Sequence, residues 1–135
     1  MPRVVLDVNV YVPALLAPTG SPARVLGLWA ESQFDVIVSP LLLAELERVL
    51  RRPKFRNSIS AAEIDGRLSA LNEDGIALAD PEVKAGATAD PGDDYLVALA
   101  LIAQADFIVS GDAHLTKLSE AVPPVLAPHA FIDAI

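Results

Sequence analysis

The chain has 135 residues, of which 53% are hydrophobic, enough for one packed domain over 1–135 and too many for a disordered chain. It has no cysteine, which excludes disulfides and thiolate metal sites, and its net charge of −8 disfavours nonspecific electrostatic binding of nucleic acid. The acidic balance leaves three interpretations: carboxylates clustered around cations, a basic partner, or charge that only maintains solubility.

The N-terminal segment has the pattern of neither a secretory signal nor a membrane span. Asp7 and Asn9 interrupt the apolar run that follows Arg3. No apolar stretch of the sequence is long enough to cross a bilayer. We therefore expect a soluble protein located in the cytoplasm, with no membrane partner.

Short apolar segments rich in Val and Ile recur along the chain and are typical of parallel strands buried on both faces. In chain order they are Val4–Leu6, Phe34–Val38, Ile76–Leu78, Phe107–Val109 and Val125–Leu126.

The segments between these strands carry signals for the start or end of a helix. Ser21-Pro22, Ser39-Pro40 and Asp90-Pro91 each combine a capping residue with a proline that suits the first helical turn, and Ser60–Glu63 has capping-box spacing. The helix after Ser60 is expected to run to about Asp74 and to end at Gly75. The helix after Asp90 is apolar almost all round, so we expect it inside the domain. Strands alternating with helices predict an α/β fold with three layers, α/β/α, around a mainly parallel central sheet.

Four acidic residues lie where strands end or helices begin: Asp7, Glu45, Asp94 and Asp112. In open α/β sheets, ligands bind beyond the carboxyl ends of the strands, so Asp7 and Asp112 would face each other if their strands are neighbours. Clustered carboxylates repel one another unless cations hold them, and oxygen-only ligands suit Mg²⁺ or Mn²⁺ rather than Zn²⁺. The alternative is that each Asp only caps a helix or forms a turn.

Several neighbouring side chains have both a functional and a structural interpretation. Asp90 and Asp93 fit helix caps and partners of the helix dipole, and Asn9 fits a residue that stabilises its own loop. Ser39 and Ser110 either cap helices or hydrogen-bond to ligand carboxylates, and a contact from Asn9 to Asp7 stays open.

Three longer segments carry a resemblance to the PIN-domain nucleases, in particular the VapC-like toxins of bacterial toxin–antitoxin pairs, over nearly the whole chain. The segment "VVLDVNVYVPALL" is similar to the family's first strand and first acid, and "VIVSPLLLAELERVLRRPKF" to its second strand, capping Ser and Glu. The segment "DPGDDYLVALALIAQADFIVSGDAHL" is similar to the part with the third and fourth acids.

By motif match the resemblance implies that Asp7, Glu45, Asp94 and Asp112 are catalytic, metal-binding acids. The spacing to "LVALA" selects Asp94, although Asp93 stays open as the direct ligand. Asp90 matches an accessory acid, and Ser110 stands where many relatives have Thr.

The resemblance also implies a strand order of 3-2-1-4-5, which places Asp7 beside Asp112. It implies one or two Mg²⁺ or Mn²⁺ ions, hydrolysis of RNA phosphodiester bonds without a side-chain nucleophile, a small antitoxin partner and a homodimer. Arg48 and Arg52 flank Glu45 on one helix and either contact the RNA backbone or form a solvated helix end.

Two other functions stay open. One is a non-catalytic PIN-like module that only binds partners. The other is a phosphatase like the haloacid dehalogenases, suggested by the Asp7-Val8-Asn9-Val10 segment. That chemistry needs a second Asp where Asn9 stands and a well-placed Lys.

Overall fold

The central sheet consists of short parallel strands in the computed structural model, which describes residues 1–83, 91–116 and 123–135. The strands in these ranges are β1 (Arg3–Leu6), β2 (Asp35–Val38), β3 (Ile76–Ala77), β4 (Phe107–Val109) and β5 (Val125–Leu126). Their spatial order is β3-β2-β1-β4-β5, and every neighbouring pair is parallel. The predicted parallel sheet and its order are confirmed.

Helices connect the strands and cover the sheet. In the described ranges they are α1 (Val8–Leu16), α2 (Ser21–Ala30), α3 (Pro40–Leu50), α4 (Ala61–Asp74), α5 (Pro91–Ile102), α6 (Ala113–Thr116) and α7 (Pro128–Ala134), with a 3₁₀ turn at Pro53–Phe55. Helix α5 packs against β1 and β4, and α4 packs against β2 and β3. The result is the predicted three-layer α/β/α fold. None of these helices is long and apolar enough to span a membrane.

The sheet is the centre of the hydrophobic core. Val4, Val5 and Leu6 of β1 are fully buried, as expected for a strand with neighbours on both sides and helices on both faces. Phe131 of α7 packs edge-on against Phe34 and Phe107, with ring centroids 5.2 and 5.7 Å apart. These aromatic contacts fasten the C-terminal helix to the sheet.

Helix α1 was not predicted from the sequence. Its β-branched residues favour a strand, and Pro13 lies inside it. The helix forms because Asp7 caps its start, where the carboxylate accepts a hydrogen bond from the Asn9 backbone at 3.4 Å, and because Val10 and Tyr11 are buried in the core. Tertiary packing here overrides local propensity.

The end of α5 departs from the prediction of a fully interior helix. Leu96 and Leu99 are buried, but Leu101 and Ile102 in the last turn are 55% and 62% exposed. Ala100 and Ala103 on either side of them are buried, so one face of the last turn packs inside while the other faces solvent despite its apolar sequence.

Gly75 ends α4 for a reason other than a left-handed turn, since its φ is −83°. A Cβ at this position would lie 2.5 Å from the Leu71 carbonyl oxygen and 3.2 Å from that of Val36. We expect Gly75→Ala to lower the free energy of unfolding by about 1–3 kcal/mol, because backbone must move to accept the methyl group.

The matched control is Gly66→Ala on the exposed face of α4, where a Cβ would meet nothing within 4 Å. It should raise the free energy of unfolding by about 0.5–1 kcal/mol, because alanine restricts the unfolded chain. Urea unfolding of both variants tests this pair of predictions. Equal effects at the two sites would contradict the close approach of the Leu71 and Val36 carbonyls to Gly75.

Tyr11 carries a buried hydroxyl with no hydrogen-bond partner in the described part of the chain. Burial raises the pKa of Tyr11 well above its usual range. We expect Tyr11→Phe to raise the free energy of unfolding by about 1 kcal/mol, because a desolvated, unpaired hydroxyl is removed while the ring still fills its place. A loss of stability in denaturant unfolding would show that the hydroxyl contributes a favourable bond.

Candidate metal centre

Asp7 and Asp112 lie at the carboxyl ends of two neighbouring strands. β1 pairs with β4 in the register Leu6 to Val109, and the Asp7 backbone amide donates to the Val109 carbonyl at 2.9 Å. Asp7 follows β1 directly, and Asp112 follows β4 after Ser110 and Gly111. The predicted juxtaposition of these two acids is present.

One buried hydroxyl links the two acids. Ser110 Oγ donates to Asp7 Oδ2 at 2.8 Å and accepts from the Asp112 backbone amide at 3.0 Å. Asn9 joins the same network, since its Nδ2 lies 3.5 Å from Ser110 Oγ and its Oδ1 accepts from the Gly111 amide at 3.1 Å. Ser110 thus hydrogen-bonds to a candidate ligand, whereas the Asn9 side chain supports the loop after β4.

The local environment makes the charge of Asp7 unfavourable. Burial raises the pKa of the Asp7 carboxyl above its usual value, more than the hydrogen bond from Ser110 lowers it. The nearby Asp112 adds a smaller rise through charge repulsion. A positive charge in this place would stabilise both ionised carboxylates.

A cleft of about 850 Å³ opens at this edge of the sheet. Its acidic lining comes from four elements of the chain: Asp7 after β1, Glu45 of α3, Asp93 of α5 and Asp112 after β4. Apolar side chains of α1, α3 and α5 form much of the remaining wall, among them Val12, Leu42 and Leu96. The sheet topology therefore brings together acids that are up to 105 positions apart in the sequence.

Glu45 lines the cleft but its carboxylate is paired with Arg48. Arg48 donates to Glu45 through Nη2 at 2.6 Å and through Nε at 3.0 Å. These hydrogen bonds lower the pKa of the Glu45 carboxyl. Arg48, expected from the sequence as a possible RNA contact, is thus occupied by Glu45 in this conformation.

The Asp93–Asp94 doublet is buried on the first turn of α5, with exposures of 9% and 5%. Asp93 is among the residues that line the cleft; within the described ranges, the lining does not include Asp94. This arrangement favours Asp93 as the residue facing the site, although the sequence motif selects Asp94. Asp90 lies outside the described residues.

Tyr95 completes a network that the sequence did not indicate. Its hydroxyl hydrogen-bonds to Ser39 Oγ and to Asp80 Oδ1, and the same Asp80 oxygen accepts from the Leu41 amide at 3.0 Å. Burial and the bond to Asp80 raise the pKa of Tyr95 to about 12. Ser39 therefore links the start of α3 to α5 instead of capping its own helix or reaching a ligand carboxylate. No local pattern signals this, because the partners are 15 and 56 positions apart.

The candidate ligands are of the chemical type that a hard divalent ion prefers. Their side chains are carboxylates and a hydroxyl, and Mg²⁺ is often held by one or two carboxylates while it keeps several waters. Within the described ranges, however, no three or more acidic, His or Cys side chains lie close enough to hold one ion together. The observed core of the centre is the Asp7–Asp112 pair, with Asp93 and Glu45 on the same cleft.

The chain is similar in sequence to a known archaeal protein. The uncharacterized protein MJ1680 of Methanocaldococcus jannaschii is 28% identical over 119 residues, which cover 87% of this chain and 76% of that protein.

Three solved structures have a similar fold. PAE2754 from Pyrobaculum aerophilum has a TM-score of 0.63 at 13% identity, covering 98% of this chain and 88% of its own. A chain of VapBC2 from Rickettsia felis, bound to a DNA fragment from its promoter, has a TM-score of 0.59 at 16% identity and coverages of 92% and 96%. FitAcB from Neisseria gonorrhoeae has a TM-score of 0.53 at 17% identity and coverages of 93% and 98%.

A direct family match accompanies these structural features, which are the strand order, the acids at the carboxyl ends of β1 and β4, and the cleft between them. The model of the PIN domain family matches residues 3–114, which include Asp7, Glu45, Asp93, Asp94 and Asp112. The chain therefore belongs to the PIN domain family.

Proposed function

We propose that this protein is an endoribonuclease dependent on Mg²⁺ or Mn²⁺, formed by a single PIN-like domain over residues 1–135. The observation that carries the proposal is the Asp7–Asp112 pair, joined through Ser110 at the carboxyl ends of adjacent strands. The pair lies in a cleft that also receives Asp93 and Glu45.

Asp7 and Asp112 are the proposed primary metal-holding carboxylates, with Asp93 and Glu45 completing the set. One or two divalent ions bound there would polarise the scissile phosphate and activate water for hydrolysis. Ser110 orients the Asp7 carboxylate through its hydrogen bond, and Asn9 holds the Ser110–Gly111 loop that carries Asp112. Glu45 already lines the cleft and would join the set by exchanging its bonds with Arg48 for a bond to the ion.

A toxin of a toxin–antitoxin pair is the biological role we propose. The sequence resemblance to VapC-like toxins supports it, and so does the fold shared with a chain of VapBC2 and with FitAcB. The partners we propose are RNA as substrate, a small antitoxin protein and a second copy of this chain. Exposed Leu101 and Ile102 supply apolar surface for one of the protein partners. The cytoplasmic location stays a prediction.

A second candidate, a non-catalytic PIN module, is favoured by one observation, the ion pair that occupies Glu45. The haloacid-dehalogenase alternative has weaker support, because the family match is to the PIN domain and Asn9 bonds to the Gly111 backbone.

Cleavage of a panel of structured and single-stranded RNAs tests the proposal, with Mg²⁺, with Mn²⁺ and with EDTA. We expect cleavage with either ion, none in EDTA, and recovery when the ion is restored in excess. Cleavage that persists in EDTA would contradict metal dependence. A folded protein that cuts no RNA under any condition would favour the non-catalytic module.

A further inference from the structure

The wall of the cleft beyond Glu45 has a charge opposite to that of the acids. Arg52, Lys54 and Phe55 line the same cleft as Asp7 and Asp112. The chain carries a net charge of −8, so two cations and an aromatic ring on this wall are a local exception to its acidic composition. Such a wall attracts an anion into a cleft whose acids alone would repel it.

Arg52 and Lys54 differ from the neighbouring arginines in their ion pairs. Arg48 is paired with Glu45, and Arg51 is paired with Glu47 and Asp65. Within the described ranges, the ion pairs include neither Arg52 nor Lys54. Both side chains are exposed, so their charges face the cleft and solvent.

The backbone holds these side chains on one short turn. Arg52 precedes the 3₁₀ turn Pro53–Phe55, and the Phe55 amide donates to the Arg52 carbonyl at 2.9 Å. Pro53 fixes its own φ, which restricts the turn further. Arg52, Lys54 and Phe55 are therefore presented together rather than on a long free loop.

Phe55 adds a flat aromatic surface. It is half-buried and packs against the hydrophobic core, which fixes its position, while it also lines the cleft. The Lys54 ammonium lies 5.0 Å from the centre of its ring. A ring anchored in this way suits a nucleotide, because a base can take the ring face that the Lys54 ammonium covers when that ammonium turns to a phosphate beside Arg52.

We propose that Arg52, Lys54 and Phe55 form a subsite for a nucleotide of single-stranded RNA that flanks the scissile phosphate. The subsite rests on the proposed function, since it binds the same substrate in the same cleft. Arg52 and Lys54 contact phosphate, and Phe55 stacks on one base. The phosphate contacts dominate affinity, because aromatic residues make up only 5% of the chain.

The test is binding of a fluorescent single-stranded RNA by the full chain, followed by anisotropy at several salt concentrations. Ca²⁺ replaces Mg²⁺, and gels verify that the RNA stays intact. The Arg52→Ala/Lys54→Ala double variant should weaken binding and reduce the slope of log K against log salt by about 1.4, since each phosphate contact on a single strand contributes about 0.7.

Phe55→Leu keeps an apolar side chain but removes the stacking surface, so it should weaken binding about tenfold without changing the salt slope. Arg51→Ala is the matched control, because it removes the same charge one position from Arg52, and Arg51 is held by Glu47 and Asp65. We expect its affinity to stay within about twofold of wild type and its salt slope to stay unchanged. Thermal unfolding of each variant verifies that it is folded.

The outcomes separate the subsite from the proposed function. A wild-type protein that neither binds nor cleaves RNA would overturn both. A wild-type protein that binds and cleaves RNA, with a double variant that behaves like Arg51→Ala, would overturn the subsite alone. A double variant that keeps RNA affinity but loses binding of a polyglutamate peptide would also overturn it, and would assign the wall to an acidic protein partner.

Discussion

Asp7→Asn is expected to lower RNA cleavage by about 10²–10³-fold, comparable to the loss of one strong electrostatic contact in other active sites. The amide cannot supply the negative charge that a divalent ion needs, although it can still accept the hydrogen bond from Ser110. The same substitution should raise the free energy of unfolding by about 1 kcal/mol, because it removes a desolvated charge beside Asp112.

The stability gain of Asp7→Asn depends on pH with a definite sign. The folded-state pKa of Asp7 is raised above the model-peptide value of 3.8, so the folded protein holds this proton to higher pH than the unfolded chain does. The charge therefore costs nothing below pH 3.8, and its cost grows until the pH exceeds the raised folded pKa.

Urea unfolding measured from about pH 3.5 to about pH 7 should show the free energies of unfolding of wild type and Asp7→Asn diverging as the pH rises. Asp133→Asn on the exposed face of α7 is the matched control, and it should change neither cleavage nor the free energy of unfolding at neutral pH. An Asp7→Asn variant that cleaves RNA at the wild-type rate would contradict its role as a metal-holding carboxylate.

Asp93→Asn and Asp94→Asn are expected to differ despite being neighbours. Asp93 lines the cleft, so its loss should lower cleavage by about 10²-fold and raise the Mn²⁺ concentration needed for half of the maximal rate. Asp94 is more deeply buried and lies outside the described lining, so its substitution should act mainly on the free energy of unfolding.

Cleavage rates as a function of Mn²⁺ concentration, measured beside urea unfolding for both variants, separate these two roles. If Asp94→Asn is the variant that loses cleavage and needs more Mn²⁺ at unchanged stability, then the sequence motif identifies the ligand and the cleft lining does not.

Most of the fold could be predicted because its signals are local. Buried parallel strands are short Val- and Ile-rich runs, and each predicted strand agrees with the observed one to within one residue. The capping box of α4 is present as predicted, with Ser60 and Glu63 bonding to each other's backbone at 3.1 Å. Helix α1 was missed because its β-branched residues and Pro13 contradict the structure that packing imposes.

The candidate site could be predicted only in outline. The motif and the strand order were sufficient to bring Asp7 beside Asp112, because adjacent parallel strands end at the same edge. The pairing of Glu45 with Arg48, the different positions of Asp93 and Asp94, and the Ser39–Tyr95–Asp80 network depend on side-chain packing between distant segments. A single sequence does not encode such contacts as a readable pattern.

Calorimetric titration of the purified protein with Mn²⁺ tests most directly whether the Asp7–Asp112 pair holds a metal ion. We expect one or two ions to bind per wild-type chain. Asp112→Asn should lose this binding, and the control Asp133→Asn should bind Mn²⁺ as wild type does. A folded wild-type protein that takes up no Mn²⁺, or an Asp112→Asn variant that binds it with unchanged affinity, would contradict this account.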